Sequence, residues 1–258
     1  MLRRALAARA GGGQDDFRWR GTDVSRMEGF SDGVFGFAVT LLVVSLDVPD
    51  TYDQLAAALR HTPSFAVCFA LLLLVWRAHY RFFRRYGLED PLTIGLNAAL
   101  LFVVLVYVYP LKFLFTELTD VVLGIDTAVA RADGTRGPPI TAAQWPGLLA
   151  VYAAGYLAIN ACFVLLYLNA WRQRERLALT PAERLATRAE VLALLANLGA
   201  GGVALAFALG GAAPLAGLSF ALQWPFRWLA DRYVAGRRRA LAAAAPAPAA
   251  TSATVRRS

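Results

Sequence analysis

Charged side chains are scarce in this sequence. Only 17% of its 258 residues are Asp, Glu, Lys or Arg, whereas 58% are hydrophobic. Soluble domains usually carry about 25% charged residues. The excess of apolar side chains must therefore face something other than water, and the long uncharged runs indicate lipid.

Cysteine and histidine are also rare, with two of each. Cys68 and Cys162 lie inside apolar runs without metal-ligand spacing, which favours packing roles. His61 and His79 fall near opposite ends of one apolar run, so they cannot share a metal ion. Because GxSxG, HExxH, P-loop and dinucleotide-binding patterns are missing as well, the sequence predicts no enzyme, no cofactor and no small-molecule substrate.

Lysine is nearly absent, and Lys112 is the only one, so arginine supplies almost all of the net charge of +8. The arginines flank apolar runs instead of forming one basic face, which argues against a nucleic-acid partner. We expect membrane lipid to be the surrounding partner.

The apolar runs predict an all-α, polytopic membrane protein with six transmembrane helices per subunit, since about 20 apolar residues cross a bilayer. The predicted spans are approximately 29–48, 64–83, 92–115, 146–171, 191–209 and 213–233. The last two are separated by a Gly/Pro cluster at 210–214, which favours a tight turn.

Orientation follows from the distribution of basic residues. With both termini inside, all of the 26 basic residues lie on the inner side except Arg60, Lys112, Arg131 and Arg136. This predicts cytoplasmic termini in the cell (plasma) membrane. The predicted organisation is a cytoplasmic N-terminal segment over 1–25, a six-helix transmembrane domain over 26–233, and a disordered basic Ala/Pro-rich cytoplasmic tail over 234–258.

The first outer loop, 50–62, is expected to hold a short amphipathic helix. Asp50 or Thr51 can cap its start, and Pro63 is expected to stop it.

The first span has charged residues within its first two turns, and such residues inside membranes are functional candidates by default. Its string Arg26-x-x-x-Phe30-Ser31-Asp32, followed by Thr40-Leu41-Leu42 and Pro49, resembles the signature of the transmembrane protein 175 family of potassium channels. Further landmarks of that family are matched by Trp76-x-x-His79, Asn97 and Pro110. The selectivity-filter sequence TVGYG of other potassium channels is missing.

This resemblance implies a homotetramer of six-helix subunits in which the first helix of each subunit lines a central pore. It implies a pore constriction at Phe37, Leu41 and Val44, and a selectivity role for Thr40, with no metal site beyond transient potassium contact near Thr40. Phe37 departs from the family, whose members usually carry Ile or Leu at this position.

Helical spacing supports the same assignment, because 37, 40, 41, 44 and 47 share one helix face. Asp47 can then form an acidic ring at the outer mouth. Plainer alternatives are a lipid-facing or packed apolar stripe, a Thr40 hydroxyl bonded to its own helix, and a solvated Asp47.

A structural polar network is expected near the inner membrane boundary, fixing the first helix against its neighbours. Its candidate members are Arg26, Phe30, Ser31, Asp32, Trp76, His79 and Asn97.

The function expected from these features is passive, potassium-preferring cation conduction, with potassium as the permeant species. Two alternatives are a proton-coupled or other secondary transporter, and a structural membrane protein without flux. No repeat relates the first three spans to the last three, which disfavours the transporter.

Overall fold

The computed structural model describes residues 17–21, 23–44, 50–124, 129–130 and 136–243. Within these ranges the chain is almost entirely helical. The elements are, in order, α1 (Arg26–Val44), α2 (Tyr52–Arg60), α3 (Thr62–Tyr86), α4 (Pro91–Leu123), β1 (Val129–Ala130), β2 (Arg136–Gly137), α5 (Trp145–Arg172), α6 (Pro181–Leu209), α7 (Ala213–Ser219), a 3-10 turn (Phe220–Leu222) and α8 (Gln223–Ala243).

Four helices of the described residues are long and apolar enough to cross a bilayer, namely α3, α4, α5 and α6. Each contains one of the predicted second to fifth spans. The prediction of six spans is therefore matched for four of them, while α1 and the run from α7 to α8 do not meet the same criteria. The other departure from an all-α chain is the two-residue antiparallel pairing of β1 with β2.

The short helix predicted after the first span is confirmed as α2. Thr51 is its N-cap, and the Thr51 hydroxyl accepts a hydrogen bond from the backbone N–H of Gln54. The expectation that Pro63 stops this helix is wrong. Pro63 instead lies in the first turn of α3, where proline is favoured because the N–H it lacks would have no helical acceptor.

The arginine-rich end of the bundle, the end at which Arg84, Arg172 and Arg188 lie, is where α4 begins and α5 ends. Asp90 caps α4 and accepts hydrogen bonds from the Thr93 hydroxyl, the Asn169 amide and the Gln173 amide. One carboxylate thus joins two helices and satisfies their polar groups.

The Asp90 cluster makes stability depend on pH. Partial burial alone would raise the pKa of this carboxyl, but the hydrogen bonds from Thr93, Gln173 and Asn169 outweigh it and lower the pKa to about 2. A lowered folded-state pKa stabilises the fold above the unfolded-state pKa, and this stabilisation is lost as pH falls towards about 2.

We expect the melting temperature in detergent to fall more steeply for the wild type than for Asp90→Asn between about pH 4 and pH 2. Equal slopes would contradict this assignment.

The last part of the chain differs from the predicted sixth span. The predicted continuous helix over 213–233 is instead α7, a 3-10 turn and α8. At this break the Tyr156 hydroxyl donates to the side-chain oxygen of Gln223. α8 also continues to Ala243, ten residues into the predicted tail, where Ala and Arg are strong helix formers; residues 244–258 lie outside the described part.

The hydrophobic core lies between α1, α3, α4 and α5. It consists mainly of aromatic and aliphatic side chains, among them Phe35, Phe82, Leu100 and Leu166. α1 packs against α3 and α4, so its position is fixed by one of its faces only.

Candidate pore-lining helix

α1 begins with a reciprocal cap. The Ser25 hydroxyl accepts a hydrogen bond from the backbone N–H of Glu28, and a Glu28 carboxylate oxygen accepts one from the backbone N–H of Ser25, at 3.1 Å each. This pattern satisfies two backbone donors that a helix start leaves open. The charged residues at the start of α1 therefore include one whose role is local.

One face of α1 is buried against α3 and α4. Its members recur at intervals of three and four residues, as a single helix face requires. They are Glu28, Ser31, Phe35, Ala38 and Leu42.

A chain of hydrogen bonds crosses this buried face. The Asn97 amide nitrogen of α4 donates to the Ser31 hydroxyl at 2.9 Å, and the Asn97 amide oxygen lies 2.8 Å from the His79 ring nitrogen Nε2 of α3. Ser31 in turn donates to the carbonyl of Met27 at 2.8 Å. All three side chains are almost fully buried, so Asn97 depends on Ser31 and His79 for its polar partners.

A second contact ties α1 to α3 beside this chain. The Trp76 indole Nε1–H donates to an Asp32 carboxylate oxygen at 2.8 Å. The Trp76 ring also stacks on the Tyr80 ring, with centroids 5.7 Å apart. The structure therefore brings together Ser31, Asp32, Trp76, His79 and Asn97.

Arg26 and Phe30 do not join this group. Both side chains are exposed, and the Phe30 side chain is 67% exposed. Among the described residues, neither has a polar or aromatic partner. Because 26, 30, 33, 37 and 40 follow one another at intervals of three or four, both side chains lie on the face of α1 that leads to Phe37 and Thr40.

The face of α1 opposite the buried one has no neighbouring helix among the described residues. The Phe37 side chain is 57% exposed, and Thr40 and Val43 are exposed as well. A side-chain carbon added at Gly33 or Gly36 would meet nothing within 4 Å. This open face is partly lined by glycine, so another helix can approach it closely at Gly33 and Gly36.

The other residues predicted to line the pore are Leu41, Val44 and Asp47. Leu41 is half-buried at the edge of the open face. Val44 ends α1, but its side chain lies outside the described part, and Asp47 lies outside the described residues altogether.

Thr40 uses its hydroxyl proton within its own helix. The Thr40 Oγ1–H donates to the carbonyl of Gly36 at 3.0 Å. This is the local bond that was one of the sequence alternatives. It directs the proton inward, so the lone pairs of the hydroxyl oxygen remain available on the open face.

A small cavity of about 140 Å³ lies beside the Val43 end of α1. It is lined by Val43, Ala58, His61, Thr62 and Phe65. His61 also lies against the buried Asp120 of α4, with Nδ1 3.3 Å from a carboxylate oxygen. The corner between α2 and α3 thus connects the end of α1 to α4.

Comparison with known proteins finds a match in the region of the chain that holds α1 and its partners on α3 and α4. Residues 26–107 match the model of the family described as "Endosomal/lysosomal potassium channel TMEM175". A curated protein of Marivirga tractuosa named "Potassium channel" is 41% identical over 180 residues, which cover 70% of this chain and 72% of that protein. The chain belongs to the TMEM175 family.

Two further proteins of the TMEM175 family resemble this chain. A Chamaesiphon minutus protein named "Potassium channel Cha6605_3372" is 34% identical over 101 residues, 36% of this chain and 50% of that protein. The crystal structure of a variant of "the potassium channel MtTMEM175" with a Nanobody-MBP fusion protein matches with a TM-score of 0.76 and 34% identity. It covers 87% of this chain and 99% of that chain. The chain is therefore a multi-pass membrane protein with the fold of this family.

Two residues on the buried face of α1, Glu28 and Phe35, were not predicted from the sequence. Glu28 caps the helix start and lies 4.0 Å from the Arg84 guanidinium Nε. Phe35 is buried, and its ring lies edge-on to the His79 ring with centroids 5.5 Å apart. The signal for both was present, because 28, 31, 35, 38 and 42 repeat at helical spacing opposite to 37 and 40.

Proposed function

We propose that this chain is the subunit of a potassium-preferring cation channel that conducts passively. Four copies would place the open faces of their α1 helices around a central pore. The observation that carries this proposal is the two-sided α1. One face is buried and carries polar anchors, and the other carries Phe37 and Thr40 and is not covered by any described helix. The names of the TMEM175 relatives support potassium as the permeant ion.

The chemistry of the open face suits a hydrophobic gate. Rings of Phe37, Leu41 and Val44 would exclude water from a narrow passage, which blocks ions until the rings separate. Four Thr40 oxygens would replace part of the hydration shell of a passing ion. Asp47 would concentrate cations at the outer mouth.

The proposed setting is the cell membrane, with both termini cytoplasmic and lipid around the tetramer. Potassium is the permeant species and not a cofactor, and we propose no enzymatic activity, no small-molecule substrate and no nucleic-acid partner.

One observation favours a transporter as the second candidate. The run from α7 to α8 is interrupted by a 3-10 turn next to a half-buried hydrogen bond between Tyr156 and Gln223. Transporters use such broken helices, normally in pairs related by a repeat. Since the described helices contain no second break of this kind, channel function is the better proposal, and a structural protein without flux would be supported only by liposomes that pass no ions.

Replacing Thr40 with valine tests the selectivity role directly. Thr40→Val keeps the side-chain shape but removes the oxygen, so we expect the preference for potassium over sodium to fall about tenfold, a loss of about 1.4 kcal/mol in discrimination. The measurement is ion flux from liposomes under matched potassium and sodium gradients.

Thr119→Val is the matched control for this experiment. The Thr119 hydroxyl also donates to a carbonyl of its own helix, that of Phe115 at 2.7 Å, but Thr119 lies on α4. The control should keep wild-type selectivity. Equal selectivity in the wild type and in Thr40→Val would overturn the threonine ring.

A further inference from the structure

Residues 17–21, here called the N-terminal strap, pack against the helices although they belong to no helix or strand. Phe17 is 6% exposed. Its ring meets the Tyr86 ring edge-on at 5.4 Å, and the Arg85 guanidinium lies 5.0 Å from its centroid. The strap therefore has an anchor of its own in the last turn of α3.

An ion pair fixes the strap to α6. The Arg20 guanidinium donates to both carboxylate oxygens of Glu183, at 2.7 and 3.1 Å, and its Nε donates to the carbonyl of Leu177 at 2.9 Å. The backbone N–H of Arg18 also donates to Glu183. Glu183 is 1% exposed, and a two-pronged arginine–carboxylate contact of this kind is both strong and directional.

The strap continues to α1 through Arg84. The backbone N–H groups of Arg20 and Gly21 donate to the Arg84 carbonyl at 3.0 and 3.3 Å, and the Arg84 guanidinium donates back to the Gly21 carbonyl at 2.8 Å. The same guanidinium lies 4.0 Å from Glu28 in the first turn of α1. Arg84 thus contacts the strap and the start of α1 together.

The backbones cross closely at this point. Gly87 ends α3 with φ +57°, and a side-chain carbon added there would lie 3.2 Å from the backbone of Arg20. The strap therefore has little room to shift while its contacts are intact.

We propose that Arg20 and Glu183 are positioning residues for α1. Their ion pair fixes the strap, and the strap and Arg84 together hold the arginine-rich end of α1 against α3. This inference rests on the proposed function, because its consequence concerns the pore. When the ion pair is broken, α1 is less restrained. The Phe37 side chains of the proposed constriction then move apart more often, and the pore opens more often.

Glu183→Gln is the test variant, in the full-length protein. Glu183 also forms the capping box of α6 with Thr180, and glutamine can serve in the same box. The substitution therefore removes the charge that holds Arg20 and keeps the helix start.

Glu190→Gln is the matched control. Glu190 lies two turns further along α6, and its carboxylate pairs with Arg81 and Arg85 of α3. The chemical change is the same, but Arg20 keeps its partner Glu183. Arg85 also lies over the Phe17 ring of the strap, and a glutamine oxygen at position 190 can still accept a hydrogen bond from Arg85, so this contact is expected to remain.

Two measurements are made on each protein. A nitroxide label on Val24→Cys, an exposed position between the strap and α1, reports local mobility after Cys68 and Cys162 are replaced by alanine. Liposome flux reports potassium conduction and its preference over sodium. For Glu183→Gln we expect label mobility and potassium flux each to rise at least about twofold with unchanged ion preference, while Glu190→Gln stays at wild-type values.

The outcomes separate the two proposals. A label as immobile in Glu183→Gln as in the wild type overturns the anchoring role. A mobile label with wild-type flux overturns the positioning of the pore. Wild-type liposomes without potassium flux overturn the proposed function, and the label still shows whether the ion pair holds the strap.

Discussion

Phe37→Ala is expected to raise potassium flux about tenfold, which corresponds to about 1.4 kcal/mol less barrier to ion passage. The Phe37 ring is a large, 57% exposed side chain on the open face of α1, and among the described residues it has no aromatic partner. In the proposed tetramer, four such rings would meet at the pore axis. Alanine widens this passage and lets water enter, which removes the main obstacle that a hydrophobic gate presents to an ion.

The measurement is single-channel conductance in planar bilayers together with liposome flux. Phe102→Ala is the matched control, because Phe102 is a phenylalanine of similar exposure (68%) on α4, away from α1. It removes the same ring from a different face of the subunit. Wild-type conductance in Phe37→Ala, or an equal rise in Phe102→Ala, would show that the ring is not at the constriction.

Phe37→Ala is not expected to unfold the protein. An exposed ring contributes little apolar burial within the subunit, so the usual cost of emptying a core does not apply. A change in flux can therefore be attributed to the proposed pore and not to loss of folded protein, provided that the variant elutes at the same size as the wild type on size-exclusion chromatography.

Local features of the fold were predictable because their signals are local. The cap at Thr51, the boundaries of α3 and α5 and the start of α4 follow from capping chemistry and from apolar run length, both of which can be read within one segment. The end of α4 does not, because this helix continues through polar residues to Leu123, past the predicted end at 115. The start of α6 was placed ten residues too late, because its first turns are polar and pack at the arginine-rich end, where Glu183 meets the strap. That contact joins residues 163 positions apart.

In the candidate site, too, the local pattern was predictable, whereas the contacts between helices were not. The motif placed Arg26, Phe30, Ser31 and Asp32 in one string, and sequence reasoning treated them as one network. A helix distributes them, because 28, 31 and 35 face inward whereas 26, 30 and 37 face outward. The partners of Ser31 and Asp32 on α3 and α4 are fixed by packing, which only the folded chain reveals.

Replacing Asn97 with leucine is expected to have the largest effect on stability. Leucine has a similar size but can neither donate to Ser31 nor accept from His79. Each buried polar group left without a partner costs about 1–3 kcal/mol. Since this chain of hydrogen bonds joins α1 to both of its neighbours, its loss should also loosen the pore helix.

Asn197→Leu is the matched control, because it is the same change at another interhelical amide. The Asn197 amide donates to Asn160 of α5 at 3.1 Å, and Asn160 keeps its own bond to the Tyr156 carbonyl. The control should lose about 0.5–1.5 kcal/mol, the value of one hydrogen bond, and should conduct normally.

Thermal melting in detergent and potassium flux distinguish these expectations. Asn97→Leu should melt at a temperature well below that of Asn197→Leu, and its potassium flux should differ from that of the wild type, whereas Asn197→Leu should conduct normally. The double variant Ser31→Ala with Asn97→Leu should be less damaging than the sum of its parts, because both single substitutions remove the same hydrogen bond between Asn97 and Ser31. Strict additivity would mean that Ser31 and Asn97 act independently, and the polar chain would then not be the anchor of α1.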